Sequence, residues 1–237
     1  TATIINNLYA WTAHMSIDAC WGYGPGSQPG VSVFTYNRMS DTDFRKKNII
    51  SPDRSWDAVA PYTLQTKAEF DGQAPEVNRK FEMAPYAWFK FRPNTGEKYD
   101  NTVGNVTDIP LMRVEEMYLI EAEATAHYDE ATAKSLIASF MAHRDSAYTV
   151  PERGIVDEIL FQKRIEFWGE GILLFDYKRL DEPIDRSASN HAGVFKLRTQ
   201  RRSPQWNIVI TRAEFQSNTA INDSNNNPDP SEKIEIL

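Results

Sequence analysis

Cysteine is nearly absent from this 237-residue sequence: Cys20 stands alone. A single cysteine builds no intrachain disulfide framework and supplies no zinc-type ligand spacing, so cytosolic and secreted settings both remain open. Histidine is also sparse. His14, His127, His143 and His191 show no metal-ligand spacing and read as surface residues, with His127 and His143 near helix ends. A cation there suits the helix dipole. There is no excess of positive charge either. The 26 basic residues against 33 acidic ones leave a net charge of −7, which argues against a nucleic-acid partner. The densest basic group, Arg198, Arg201 and Arg202, reads as a solvated turn. No run of about 18 apolar residues occurs, so no segment reads as a membrane-spanning helix. Nucleophile-elbow, P-loop and dinucleotide fingerprints are missing, and neither a cofactor nor a metal is expected. No signal sequence is visible and the chain opens at Thr1, so a portion of a longer polypeptide is expected.

What is present divides into three stretches. Residues 1–107 are loop-rich. Their first 21 residues are compatible with helix and with extended structure alike. Gly22, Gly24, Pro25 and Gly26 then forbid regular structure around Trp21 and Tyr23. These two rings either plug the local core or offer flat faces on which a sugar ring can stack. Val31 to Tyr36 alternates with period two and reads as a short strand. Trp88 to Phe91 reads as a second strand, and Asp41 as a helix cap.

Residues 108–180 change character. Asp108 can cap a helix and Pro110 suits its first turn, predicting helix from Leu111 to His127. Leu111, Val114, Tyr118, Ala122 and Thr125 form its apolar stripe, and Arg113 can pair with Glu116. A short turn leads to a second, antiparallel helix over Ala131–Arg144. A third helix runs from Ile155 to about Gly169. Residues 181–237 are irregular and charged, apart from a short strand at Trp206–Ile210 and a polar loop or tail from Asn222. The fold class is therefore mostly α, with long irregular loops and a few short strands.

The segment from Gln162 to Leu180 organises the rest. On a continuous helix Glu166 and Glu170 share a face one turn apart, where like charges repel. Phe167 and Trp168 lie between them and demand burial. A buried carboxylate needs a cation, and Arg113, Lys163, Arg164 and Arg179 are candidates. Arg113 reaching Glu166 or Glu170 would tie the first of these helices to the third.

Two motifs here resemble the RagB/SusD family. One comprises Arg113, Glu116, Tyr118, Leu119, Ala122, Glu123 and Ala124. The other comprises Glu166, Glu170, Gly171, Phe175, Asp176 and Arg179. Asp43-Phe44-Arg45 and Phe89-Lys90-Phe91 are shorter matches of the same kind. Gln162 and Lys163 stand where the family usually has Glu-Arg, Leu173 stands where it usually has Arg, and only Arg144 remains of the arginines usual in its stretch. The resemblance covers the C-terminal part of such a protein. It implies a SusD-like helical scaffold and non-catalytic binding of a nutrient, such as an oligosaccharide, at the cell surface. It further implies an outer-membrane lipoprotein that acts in polysaccharide utilisation and delivers its ligand to a SusC-like TonB-dependent transporter. The lipid anchor and the N-terminal half of the same protein, which supplies most of the helical-repeat scaffold, would lie outside this chain, and Cys20 would not be the lipid site.

From the chemistry of the residues, Trp11, Trp21, Tyr23 and Tyr36 are the candidate ligand-binding rings. Arg113, Glu116, Glu123, Glu166, Glu170, Asp176 and Arg179 are read as a structural ion-pair network. Two other readings compete. One is a helical glycoside hydrolase using paired carboxylates such as Glu166 with Glu170, or Glu170 with Asp176. The other is a module that only docks on the transporter.

Overall fold

Helix carries the regular structure, and in the middle of the chain it forms where the sequence places helix formers between turns. The computed structural model describes residues 15–18, 28–73, 82–92, 111–152, 154–193, 196–199, 201–202, 206–222 and 224–227. In chain order the helices are α1 (Val33–Arg38), α2 (Trp56–Val59), α3 (Lys67–Phe70), α4 (Val114–Ala126), α5 (Glu130–Met141), α6 (Ile155–Glu166), α7 (Leu173–Arg179) and α8 (Arg212–Ser217). The chain is mostly α. Among the described residues extended pairing is confined to isolated bridges, such as Gly30 with Ala87 and Ile49 with Trp88. The chain divides into two compact units, Thr1–Gly169 and Glu170–Leu237.

In the first unit α4 and α5 form the expected antiparallel hairpin, and α6 packs against both. Asp129 caps α5 by accepting the Thr132 N–H at 3.1 Å. Leu119 and Ala122 of α4, Ile137 and Met141 of α5, and Ile159 of α6 are buried. A second cluster joins the loop-rich stretch to α6: Val31, Met39, Ile49 and Trp88 pack with Phe161 and Ile165. A third gathers Ile17, Ile50, Val59, Phe70, Met83 and Phe89.

Several expectations are corrected. Val31–Tyr36 is not a strand, because the Ser32 hydroxyl accepts the Phe34 N–H at 3.2 Å and caps α1. Trp88–Phe91 is a bridge followed by a turn, since its neighbours on Asn48–Ile50 supply only a short pairing. Asp43, not Asp41, caps the following 3-10 turn at Phe44–Asn48. Helix α4 begins at Val114 rather than Leu111, and Asp108 falls outside the described residues. Helix α6 ends at Glu166, with Gly169 at φ 78° beyond it, so Glu170 does not share a helix face with Glu166. In the second unit Ile208–Ile210 is not a strand. The Asn226 side chain accepts the Ile210 N–H and donates to its carbonyl, while Asn227 donates to Ile208, so asparagine side chains stand in for a partner strand. In that unit too, Arg201 and Asp181 pair at 2.5 Å, and Arg198 and Asp185 at 3.4 Å.

Helix α4 carries large apolar residues on more than one side, interspersed with Glu115, Glu116, Glu121 and Glu123. Its buried side carries Leu119, Ala122 and Thr125, while Val114, Met117, Tyr118 (55% exposed) and Ile120 face outward, preceded by Leu111 (87% exposed). The stripe read from the sequence thus mixes the two sides. Large apolar side chains clustered on an outward face are ordinarily covered by a partner surface.

Gly30 is fixed by close approach. A Cβ there would stand 2.5 Å from the Tyr86 carbonyl oxygen, a backbone atom that cannot swing away. Gly30→Ala should therefore cost about 1–3 kcal/mol, measured as a shift in the urea unfolding midpoint. An unshifted midpoint would contradict the Gly30–Ala87 pairing.

Candidate functional site

Glu166 closes α6, at the end where the helix dipole is negative and the last carbonyls lack partners. A carboxylate there is doubly unfavourable unless cations surround it, and three arginines do. Arg144 donates through Nε to Oε2 at 2.8 Å and through Nη2 to Oε1 at 3.0 Å. Arg45 Nη1 donates to Oε2 at 3.0 Å, and Arg113 Nη1 to Oε1 at 3.3 Å. The Glu166 carbonyl accepts from Arg113 Nη2 at 3.0 Å and from Lys90 Nζ at 2.7 Å. Lys90 also reaches the Trp168 carbonyl at 2.9 Å, so it caps the helix end as a cation should.

Each guanidinium is held from further sides. Arg45 is buried, forks onto Asp43 with bonds of 3.0 and 2.7 Å, and donates to Gln162 Oε1 at 2.6 Å. The Arg113 guanidinium lies 4.8 Å from the Phe167 ring centre and pairs with Glu115 at 3.1 Å. That of Arg144 lies 3.6 Å from the ring of Phe140. Burial pushes the Glu166 carboxyl up, but the hydrogen bonds and charge of Arg144, with Arg45 and Arg113, outweigh it and bring it down to about 2. Glu166 is therefore permanently ionised near neutrality, with both oxygens occupied. It has no proton to donate, and it is too weak a base to take one.

The remaining residues of the expected network lie as follows. Glu123 pairs with Lys163 at 2.8 Å, both buried, joining α4 to α6. Glu116 offers its backbone N–H to the Arg113 carbonyl at 3.0 Å. In the second unit Asp176 and Arg179 pair at 2.7 Å, one turn apart on α7, and Glu170 begins that unit. Of the candidate ligand-binding rings, Trp11, Trp21 and Tyr23 lie outside the described residues. Tyr36 sits on α1, half-buried, edge-on to Tyr86 at 5.3 Å and with Lys46 Nζ 4.6 Å from its ring centre. Burial raises its phenol, with Asp41 adding to the effect.

Sequence reasoning missed the central place of Arg45, Arg144 and Lys90. The signals were Asp43-Phe44-Arg45 and Phe89-Lys90-Phe91, too short to reveal a shared target more than 70 residues away. Among the described residues no His, Cys, Asp and Glu group could hold a metal ion, and no helix is long and apolar enough to cross a membrane.

Glu166→Gln keeps the shape and removes the charge, so it should destabilise the chain by about 3 kcal/mol or more. A carboxyl displaced downward stabilises the fold fully above its ordinary value of 4.5 and loses that contribution as pH falls toward about 2. Urea titrations from pH 7 to pH 2 should show the two proteins converging in acid. A constant gap across that range would contradict the assignment.

Three comparisons bear on identity. Among curated proteins, none matches this chain. Among solved structures, the fold resembles that of a SusD-like carbohydrate binding protein from Bacteroides vulgatus ATCC 8482, with a TM-score of 0.52 and 21% identity. The match takes in 81% of this chain but only 41% of that one, so this chain spans about half of its neighbour's length. The model of the SusD family matches residues 2–233, and the chain belongs to the SusD family.

Proposed function

We propose that this chain is the C-terminal part of a non-catalytic binding protein that captures an oligosaccharide at the outer-membrane surface and passes it to a SusC-like TonB-dependent transporter. Family membership over residues 2–233 carries the proposal. The similar solved structure is that of a carbohydrate binding protein, which supports the ligand class. Enclosed by Arg45, Arg113 and Arg144, Glu166 has no proton to give and so cannot be the general acid of a glycosidase. Trp11, Trp21, Tyr23 and Tyr36 would supply the stacking faces, and their neighbours the hydrogen bonds to hydroxyls. A lipid anchor would lie outside this chain.

The outer face of α4, with Val114, Met117, Tyr118 and Ile120, would be covered by the rest of the same protein. The match accounts for only 41% of the structural neighbour, which leaves ample length for a further helical layer. A Met117→Glu, Tyr118→Glu double variant should suppress self-association of the 237-residue chain but destabilise the full-length protein. Analytical ultracentrifugation and thermal melts separate the two effects. Equal stability of the full-length pair would show that this face is not covered by the rest of the protein.

The binding reading is tested by calorimetry of the full-length protein against a glycan panel. Trp21→Ala should weaken the best ligand by up to about tenfold, because stacking of an aromatic ring on a flat partner contributes about 0.5–1.5 kcal/mol. Release of reducing sugar by the purified protein would overturn the proposal.

A further inference from the structure

A cleft of about 270 Å³ opens where the Arg38–Asp43 turn meets the α5–α6 connection. It belongs entirely to the first unit, and Tyr36 is not among the residues that line it. Its working parts are Arg38, Ser40, Asp145, Tyr148, Thr149 and Glu158.

The walls are held rigidly. The Arg38 guanidinium lies 3.9 Å from the Phe161 ring centre and donates to Glu158 Oε2 at 2.8 Å. Its side chain is nonetheless 47% exposed, and among the described residues Glu158 takes up only one of its five N–H donors. Glu158 is buried, and its Oε1 accepts from Gln162 at 2.7 Å and from the Tyr148 hydroxyl at 3.3 Å. Burial, with the Glu158 carboxylate beside it, raises the Tyr148 phenol, so that hydroxyl stays protonated. Asp145 is buried and accepts from the Thr42 hydroxyl and from the Ala147 N–H at 3.0 Å. Burial pushes its carboxyl up, but these bonds outweigh it and hold it down.

Size and charge select the occupant. The cleft falls just below the ~300 Å³ at which pockets begin to take drug-sized ligands, so it holds about one six-membered ring. Its lining carries Arg38 and three carboxylates, of which Glu158 is paired to Arg38 and Asp43 to Arg45 behind it. The charge left over is that of Asp145, which disfavours uronates and phosphates. Arg38 presents a planar fork of donors, while the Tyr148 and Ser40 hydroxyls, whose protons go to Glu158 and Thr42, present acceptor lone pairs, and Thr149 adds a further hydroxyl. This is a complement to adjacent neutral hydroxyl groups. We propose that the cleft is a binding site for a single neutral sugar ring, gripped through its vicinal hydroxyls by Arg38 and Tyr148.

The test is a titration of the full-length protein with methyl glucoside, methyl galactoside, glucosamine and glucuronate, followed by NMR chemical shifts assigned to Arg38, Ser40, Tyr148 and Thr149. At least one neutral glycoside should shift these signals saturably, with glucuronate inert. Arg38→Ala should weaken binding at least tenfold, and Tyr148→Phe about threefold. The second variant decides the matter if the first does not fold. Saturable shifts with glucosamine alone would overturn the proposal in favour of an amine site. Absent shifts, or unchanged affinity in Tyr148→Phe, would overturn it outright. Glycan affinity in Trp21→Ala and the cleft signals are separate readouts, so failure of either site leaves the other's result standing.

Discussion

A carboxylate at the carbonyl end of a helix is electrostatically misplaced, and the first unit is arranged around correcting that at Glu166. Three guanidiniums converge on its oxygens, and a fourth cation, Lys90, joins Arg113 on the carbonyl of the same residue. Each cation comes from a different stretch: Arg45 after the first short helix, Lys90 from the aromatic turn, Arg113 from the start of α4 and Arg144 from just past α5. One residue thereby fixes where four otherwise separate segments end up. Asp43 and Glu115 offset the surplus positive charge, so the cluster is close to neutral despite its burial. Such clusters add little net stability over a well-packed apolar core, but breaking one leaves charges stranded. Register is the better explanation for the arrangement. It fixes one way of joining an irregular stretch to a helical hairpin.

The same arrangement bears on function. An acid saturated with fixed cations is a poor reagent, and Lys163 with Glu123 likewise ties α4 to α6. Asp176 with Arg179 pairs within α7. On the proposed reading, recognition would fall to other residues. One set is Trp11, Trp21, Tyr23 and Tyr36. Another lines the cleft beside Arg38, whose floor residue Gln162 also touches Arg45 and so rests directly on the Glu166 cluster.

How much of this was legible depended on whether the deciding contact was local. The α4–α5 hairpin and α6 could be read because helix formers, short turns and Asp129 act within a few residues. The end of α6 could not, because Lys90 and Arg113, which cap it, arrive from 76 and 53 residues away. The buried face of α4 was mis-phased for a different reason. With large apolar residues on more than one side, its sequence carries no periodicity from which to choose Leu119 over Tyr118. Val31–Tyr36 alternates like a strand, and only the Ser32 cap settles it as a helix. Arg113 was legible as a partner for an acid in the later motif. Arg45 and Lys90 were visible only as short motifs without an assigned target.

The central claim is that Glu166 is ionised and enclosed. Site-resolved titration of its side-chain carboxyl carbon by NMR tests it most directly. The structure requires a midpoint near pH 2, well below 4.5, with no further change through neutrality. A midpoint at or above 4.5 would show a carboxyl free of its arginines and able to exchange a proton, and the account of this cluster as a structural joint would be wrong.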